Sequence, residues 1–476
     1  MWATKRKTTI MNLCVNSRLG TVFLSTKDVP HTTQHIYKYI ESCIQEVGSE
    51  NVVQIVTNNF SEKTESQKLL NEKKPTVFWT SCATNTINLM LEDITDLPMF
   101  KKVLDQAKAL TVFIYSHHKT LTLMRNFTKK RDIVRQGVTK SASTFLTLQI
   151  LLKKKTEIQN MFSSMELEEF EYSKVHGKFV YEIVQETGFW ENVALCLKVF
   201  SPLIKVLRMV DIDKKPSMGF VYGEIMNARK AIRDVLGDCE KDYELIMDII
   251  SSNMRGKLDS CLHLTAYLLN PYYHYKDCSL QHDGEVMDAV LEFFDTIFHG
   301  DLEMQHQIIN VELPKYKNKE GAFGRELAAK ACEVNDDDFD PGNWWGTFGG
   351  STPELRKIAM RVLSLTTSSS GCDRNRHTLK RAHMKKVNEL TTTQMNNYIF
   401  VQFNLNLKSK YKKNKQMNME VLLASDAKEA QEWLVDDDDD DDDDKVELEM
   451  LWEADEVDYE SDGVHIMEEY GDVDII

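Results

Sequence analysis

At 476 residues the chain is long enough for two or three domains with cores of their own. Its formal charge of −16 is uneven: residues 425–476 carry 24 acidic side chains against two lysines, a net of −22, which leaves the first 424 residues at +6. An acidic total of this kind does not exclude nucleic acid as a partner. The absence of any apolar run near the ~18 residues of a membrane span excludes a spanning helix. Nine cysteines without a C-x-x-C pair exclude a disulfide framework and suit reduced thiols in a soluble intracellular chain.

The first elements read as a small mixed sheet with helices. Thr8–Val15 places Ile10, Leu13 and Val15 among polar neighbours, Ser17–Gly20 turns, and Thr21–Ser25 extends again, which predicts a hairpin. His31–Val47 predicts a helix with Ile36, Ile40, Cys43 and Ile44 inward. Asn51–Thr57 is a short apolar run of the buried-strand type, and a further helix to Lys73 leads to a strand at Thr76–Thr80. From Cys82 to about Ala331 the pattern is helical apart from loops. Leu97–Phe127, Thr139–Lys153, Gly188–Val210, Ser217–Asp238 and Tyr243–Met254 are the clearest stretches, and Asn270-Pro271 breaks the run Leu262–Tyr275.

The C-terminal third carries the densest signals. An acidic loop at Asp336–Asp338 and Pro341-Gly342 precede Trp344-Trp345. Ser351-Thr352-Pro353-Glu354 predicts a helix start with Ser351 as cap, followed by Leu355, Ile358, Ala359, Val362 and Leu363 on one face. A second helix, Thr391–Leu407, carries Met395, Ile399, Phe403 and Leu407 on one side. Lysines at 408, 410, 412, 413 and 415 follow, then the nine-aspartate run Asp436–Asp444, so residues beyond about 425 are expected to be disordered.

The order of Trp344-Trp345, Ser351-Thr352-Pro353-Glu354-Leu355 and Cys372-Asp373-Arg374-Asn375 resembles the C-terminal dimerisation region of plant-type hAT-superfamily transposases. The stretch Leu262–Tyr275 (LHLTAYLLNPYYHY) is similar to a second family segment, so the resemblance covers the chain to about residue 435. It implies an α+β, predominantly helical fold: an RNase H-like core, with its first strand missing, interrupted by a large helical insertion. The implied division is a partial core over 1–81, helical insertion over 82–335, dimerisation region over 336–410, and a basic-then-acidic disordered tail over 411–476.

Family members cut and join DNA with two divalent metals held by three carboxylates. By the resemblance, Met1-Trp2-Ala3-Thr4 stands where relatives read D-G-W-T, so the first aspartate is expected to be absent. The second position is Asn58, a neutral amide. The third is Asp373 where relatives carry glutamate, shorter by about 1.5 Å. No catalytic residues, metal or cofactor are therefore expected; Mg²⁺ would be needed only by an active enzyme. Asn85 stands where relatives have the histidine of C-x-x-H, and their zinc-finger spacing is absent.

The expected function is that of a degenerate or domesticated transposase-like protein, inactive and self-associating as a homodimer or with related hAT proteins. Trp344, Trp345, Leu355, Ile358, Val362, Leu363, Ile399 and Phe403 are the expected dimerisation residues, with the two tryptophans read equally as pins of the core. Lys119, Arg125, Lys129, Lys130, Arg131 and Arg135 form a basic stripe for non-specific DNA, or a set of solvated helix faces. Lys408–Lys415 reads as a nuclear localisation patch or a solvated helix end, and His117, His118 and His274 as loop or surface histidines. The alternatives are an active or complex-dependent metal-dependent DNA transposase and a nucleic-acid- or chromatin-binding protein.

Overall fold

The computed structural model describes residues 2–3, 8–17, 20–30, 32–58, 63–116, 118–128, 141–168, 176–211, 215–237, 240–336 and 338–373, with isolated helical positions at 394, 397, 400, 401, 404 and 405. The fold is α+β and predominantly helical, as the sequence implied. The chain divides into two compact units. Of the described residues, one contains those up to Met90 together with those from Pro202 to Leu405, and the other contains Leu91–Ser201. The boundaries between the units fall inside the stretch 82–335, and Pro202 lies within a helix that runs on through it.

In the first unit, β1 (Trp2–Ala3), β2 (Thr8–Ser17) and β3 (Gly20–Pro30) form an antiparallel sheet in that order. Both hairpin strands run past the expected bounds, in register from Thr8↔Pro30 to Ser17↔Gly20, with Leu24 the extra residue of a bulge opposite Leu13/Cys14. The β1 ladder is short, Trp2↔Ile10 and Ala3↔Thr9. The helix α1 (Thr33–Val47) buries Ile36, Tyr37, Ile40 and Ile44 against Met11 and Val29 of this sheet.

The strand β4 (Gln54–Thr57) pairs in parallel with β5 (Phe78–Ser81), with α2 (Lys63–Lys73) between them in sequence. Alternation along β5 sends Trp79 into the α1 core and Phe78 the other way, stacked on Phe293 at 5.3 Å. Among the described residues the two sheets share no ladder, so the single continuous sheet of an RNase H-like core is not formed by them.

α3 (Ala83–Thr95) leads into the second unit, which holds α4 (Pro98–Ser116), α5 (His118–Phe127), α6 (Ser141–Lys153), α7 (Lys155–Phe162), α8 (Met165–Glu168), α9 (His176–Gln185) and the first part of α10 (Thr187–Asp211). Its core pairs Phe100 with Phe200 at 5.2 Å and Phe113 with Phe162 at 5.6 Å, and the Trp190 indole donates to the Val184 carbonyl at 2.7 Å.

Back in the first unit, α11 (Met218–Leu236), α12 (Glu240–Met254), α13 (Cys261–Leu269), α14 (Pro271–Lys276), α15 (Gly284–Ile297), α16 (Leu302–His306), α17 (Leu313–Lys317), α18 (Glu326–Lys330), α19 (Pro341–Phe348), α20 (Pro353–Val362) and α21 (Ser370–Asp373) complete the described elements. Several start where the sequence supplies a cap. Asn270 accepts from the Tyr272 amide ahead of Pro271, Asp283 from Glu285 and Val286, and Asp340 from Gly342 and Asn343 behind Pro341. The start of α20 differs from expectation. Neither Ser351 nor Thr352 caps it by side chain; the buried Glu312 carboxylate accepts the Leu355 amide at 2.7 Å. A π-helical turn at Gln307–Glu312 brings Glu312 to that position.

Candidate functional site

The Ser/Thr-rich stretch after α20 joins elements far apart in sequence. The Thr367 carbonyl accepts the Ala83 amide at 2.8 Å, the Thr367 amide donates to the Ser217 hydroxyl at 3.0 Å, and Leu365 receives the Met218 amide at 3.1 Å. Ser368, Ser370 and Thr84 share a ring of hydroxyl contacts of 2.6–3.0 Å, and the Ser369 amide donates to the Cys82 thiol sulfur at 3.3 Å. Thr367 and Cys82 are buried, so this network satisfies groups that would otherwise carry a desolvation cost. The residues 365–370 form a strap over the end of β4 and the start of α3.

Of the two vestigial positions that the resemblance marks, Asn58 lies at this strap and Asp373 follows it in sequence. Asn58 follows β4, and its side-chain oxygen accepts the Ser369 hydroxyl at 3.0 Å. Asp373 is the last residue of α21, and nothing further is described of its side chain. Cys82, expected to lack a histidine partner, lies instead against Ser368 and Ser369. Next to Asp373, the Cys372 thiol donates to the Asn12 carbonyl at 3.6 Å, two residues beyond the last β1–β2 pair. Among the described residues, no group of three or more His, Cys, Asp or Glu is arranged to hold a metal ion.

The expected dimerisation residues divide into two sets. Trp344, Trp345, Leu355, Val362 and Leu363 are at most 3% exposed and belong to the chain's own core, with Ile358 half-buried against it. The Trp344 indole donates to the Ala328 carbonyl at 2.9 Å and Trp345 to Leu269 at 2.7 Å, while Tyr316 lies 4.7 Å from the Trp345 ring. The apolar stripe of α20, expected at a face offered to a second copy, packs against the chain's own core. His274, expected at the surface, is likewise buried and stacks on Tyr316 at 4.4 Å. His118 is exposed, and His117 lies outside the described residues.

Ile399 and Phe403 lie outside the described residues. The described positions of their helix present Phe400, Val401 and Leu405 to solvent, 43%, 53% and 55% exposed. The sequence carried that signal, since Phe400, Val401 and Leu405 make a second apolar stripe beside the one assigned. Asn404 anchors this helix: its amide donates to the Phe23 carbonyl at 3.3 Å and its oxygen accepts the Phe23 amide at 3.2 Å. A side-chain carboxamide here takes the place of a neighbouring strand at the outer edge of β3. Sequence pattern gave no hint of it.

Of the basic stripe, Lys119 is exposed and Arg125 half-buried on α5; Lys129, Lys130, Arg131 and Arg135 lie outside the described residues, as do Lys408–Lys415 and the acidic tail. No described helix is long and apolar enough to cross a membrane.

Sequence comparison bears on both ends of this body. Residues 1–110 match a domain of unknown function, DUF659, and residues 319–405 match the hAT family C-terminal dimerisation region. No curated protein matches the chain. Residues 319–405 therefore carry the hAT family's dimerisation region, and the two matches together support the resemblance to hAT-superfamily transposase-like proteins.

Proposed function

We propose that this protein is a degenerate or domesticated hAT transposase-like chain that has lost strand cleavage and retained self-association, as a homodimer or with related hAT proteins, in the nucleus. The observation that carries the reading is the outward apolar trio Phe400, Val401 and Leu405, inside the stretch that matches the dimerisation region. Such a face loses its water contact when it meets the same face of a second copy across a two-fold axis.

The loss of cleavage is supported by the chemistry of the donors. A divalent metal pair needs charged oxygens in fixed number. Asn58 offers a neutral oxygen that already receives the Ser369 hydroxyl, and Asp373 is a single carboxylate at the remaining position. These residues do not fit a metal pair, and no cofactor is assigned. Non-specific DNA contact through Lys119, Arg125 and the neighbouring basic residues completes the reading.

Light scattering on a sizing column tests the first part. The full chain should elute as a dimer, and Val401→Glu/Leu405→Glu as a monomer, with association weakened about 100-fold from the lost apolar burial. A full chain that is monomeric at every concentration sinks the self-association reading. A strand-nicking assay with Mg²⁺ or Mn²⁺ tests the second: activity is expected to match that of Asp373→Ala, and nicking abolished by that change would return the chain to the active metal-dependent transposases.

A further inference from the structure

Where α11 ends and α12 begins, the surface holds a cleft of about 300 Å³ lined by Met226, Arg229, Lys230, Arg233, Asp234 and Tyr243. The three cations and Met226 recur at helical spacing, so α11 alone brings them to one side. Arg233 is held in place by Tyr243: its guanidinium lies 4.8 Å from the ring centroid, and its Nη2 donates to the hydroxyl. Among the described residues none of Arg229, Lys230 and Arg233 forms an ion pair, although Asp234 stands in the same cleft. Arg229 donates to the Met226 sulfur at 3.9 Å. Three positive charges gathered on two turns repel one another, and an anion seated among them removes that repulsion.

We infer that this cleft is a recognition site for a phosphomonoester on a peptide, a phosphoserine or phosphothreonine segment of a partner protein. A phosphate presents several acceptor oxygens to the fork geometry of arginine, and its dianionic charge matches a cleft of three cations and one carboxylate. Size and surroundings favour a single phosphate over a nucleic-acid backbone. The cleft takes about one side chain with its phosphate, and beyond it α12 presents exposed Glu244 and Asp248, which would repel the flanking phosphates of a duplex. Exposed Met226 and Leu245, 37% and 51% accessible, offer apolar contacts to the residues beside a phosphorylated one. The inference stands independently of self-association and of catalytic status.

The test uses the full chain against an arrayed library of phosphoserine decapeptides and the same peptides unphosphorylated, with affinities of retained peptides read by fluorescence anisotropy. A subset is expected to bind at least 100-fold more tightly when phosphorylated. Arg229→Gln and Arg233→Gln should each weaken that binding about 10-fold, the size of one charge-assisted contact. All are surface changes, and unchanged circular dichroism would confirm the fold. Tyr243→Phe keeps the ring over which Arg233 lies and should lose less than Arg233→Gln. Three outcomes overturn the inference: no phosphorylation-dependent binding; competition by inorganic phosphate as strong as by the peptide, which makes the cleft a free-anion site; or stronger competition by a random 20-base-pair duplex, which makes it a nucleic-acid contact.

Discussion

His274 and His263 make the first unit's stability depend on pH in a way the structure fixes in sign and size. Burial pushes both imidazoles down from 6.5 to about 4; at His274 the charges of Lys319 and Lys317 add to this push and a contact with the Tyr316 backbone partly opposes it. Among the described residues Nε2 of His263 has no hydrogen-bond partner, while its Nδ1 meets the Ser260 hydroxyl at 2.8 Å. Their folded-state pKa lies below the unfolded one, so between about pH 6.5 and 4 the unfolded chain binds protons that the folded chain refuses. Stability is therefore lost on acidification through that window. From pH 7.5 to 5.5 the linkage gives about 1.3 kcal/mol for each imidazole. His274→Phe keeps a ring against Tyr316 and removes one titration. Any packing cost of the larger ring is common to both pH values and cancels in the difference. Urea unfolding followed by the fluorescence of the adjacent Trp344 and Trp345 should show the parent losing roughly 1.3 kcal/mol more than the variant between pH 7.5 and 5.5. Equal losses would refute the assignment of His274 as a buried neutral ring.

Two further changes probe the same core. Glu312→Ala removes the carboxylate that receives the Leu355 amide and should cost about 2 kcal/mol by chemical denaturation, with Glu312→Gln recovering part because its amide oxygen still accepts. A loss within 0.5 kcal/mol, inside the range of ordinary surface changes, would show that this cap is not stabilising. Gly223→Ala adds a Cβ that would lie 2.7 Å from the Tyr267 ring and closer still to Tyr273. Overpacking of about 1–3 kcal/mol should outweigh the helix gain of alanine over glycine, so the melting temperature falls; a rise would mean the two rings can move apart.

Local rules made much of this fold legible. The hairpin, α1, the strands flanking α2 and the break at Asn270-Pro271 follow from periodicity and turn chemistry, which act within a few residues. The site was legible as far as motif order reached, to the Trp pair, Asn58 and Asp373. What escaped depends on tertiary context. A buried apolar stripe and an interface stripe have the same period, so α20 could not reveal that its face meets its own chain. The capping signal at Ser351 was overridden by Glu312, 43 residues before the Leu355 amide it accepts, because a carboxylate at a helix N-terminus satisfies an orphan amide and meets the positive end of the helix dipole. His274 sits next to a proline-marked turn that reads as surface, yet aromatic packing closes over it.

The way the C-terminal region is built into the body decides how self-association can be tested. Ending the chain at Gly342 removes Trp344 and Trp345 from the core, the Glu312-capped helix, the strap that satisfies Ala83 and Ser217, and the Asn404 contact at the edge of β3. A truncated chain that aggregates or unfolds would then report the loss of core and edge protection, whatever the state of the interface. Changes at Val401 and Leu405 avoid this, because both side chains are already more than half exposed and their replacement opens no cavity. Asn404→Leu is the matching control. It removes the two bonds to Phe23 without adding charge to the outer face, so it should lower stability while leaving the mass in solution unchanged at concentrations where the chain remains folded. If it dissociates the dimer as fully as Leu405→Glu, association depends on where this helix is held more than on the apolar trio it presents.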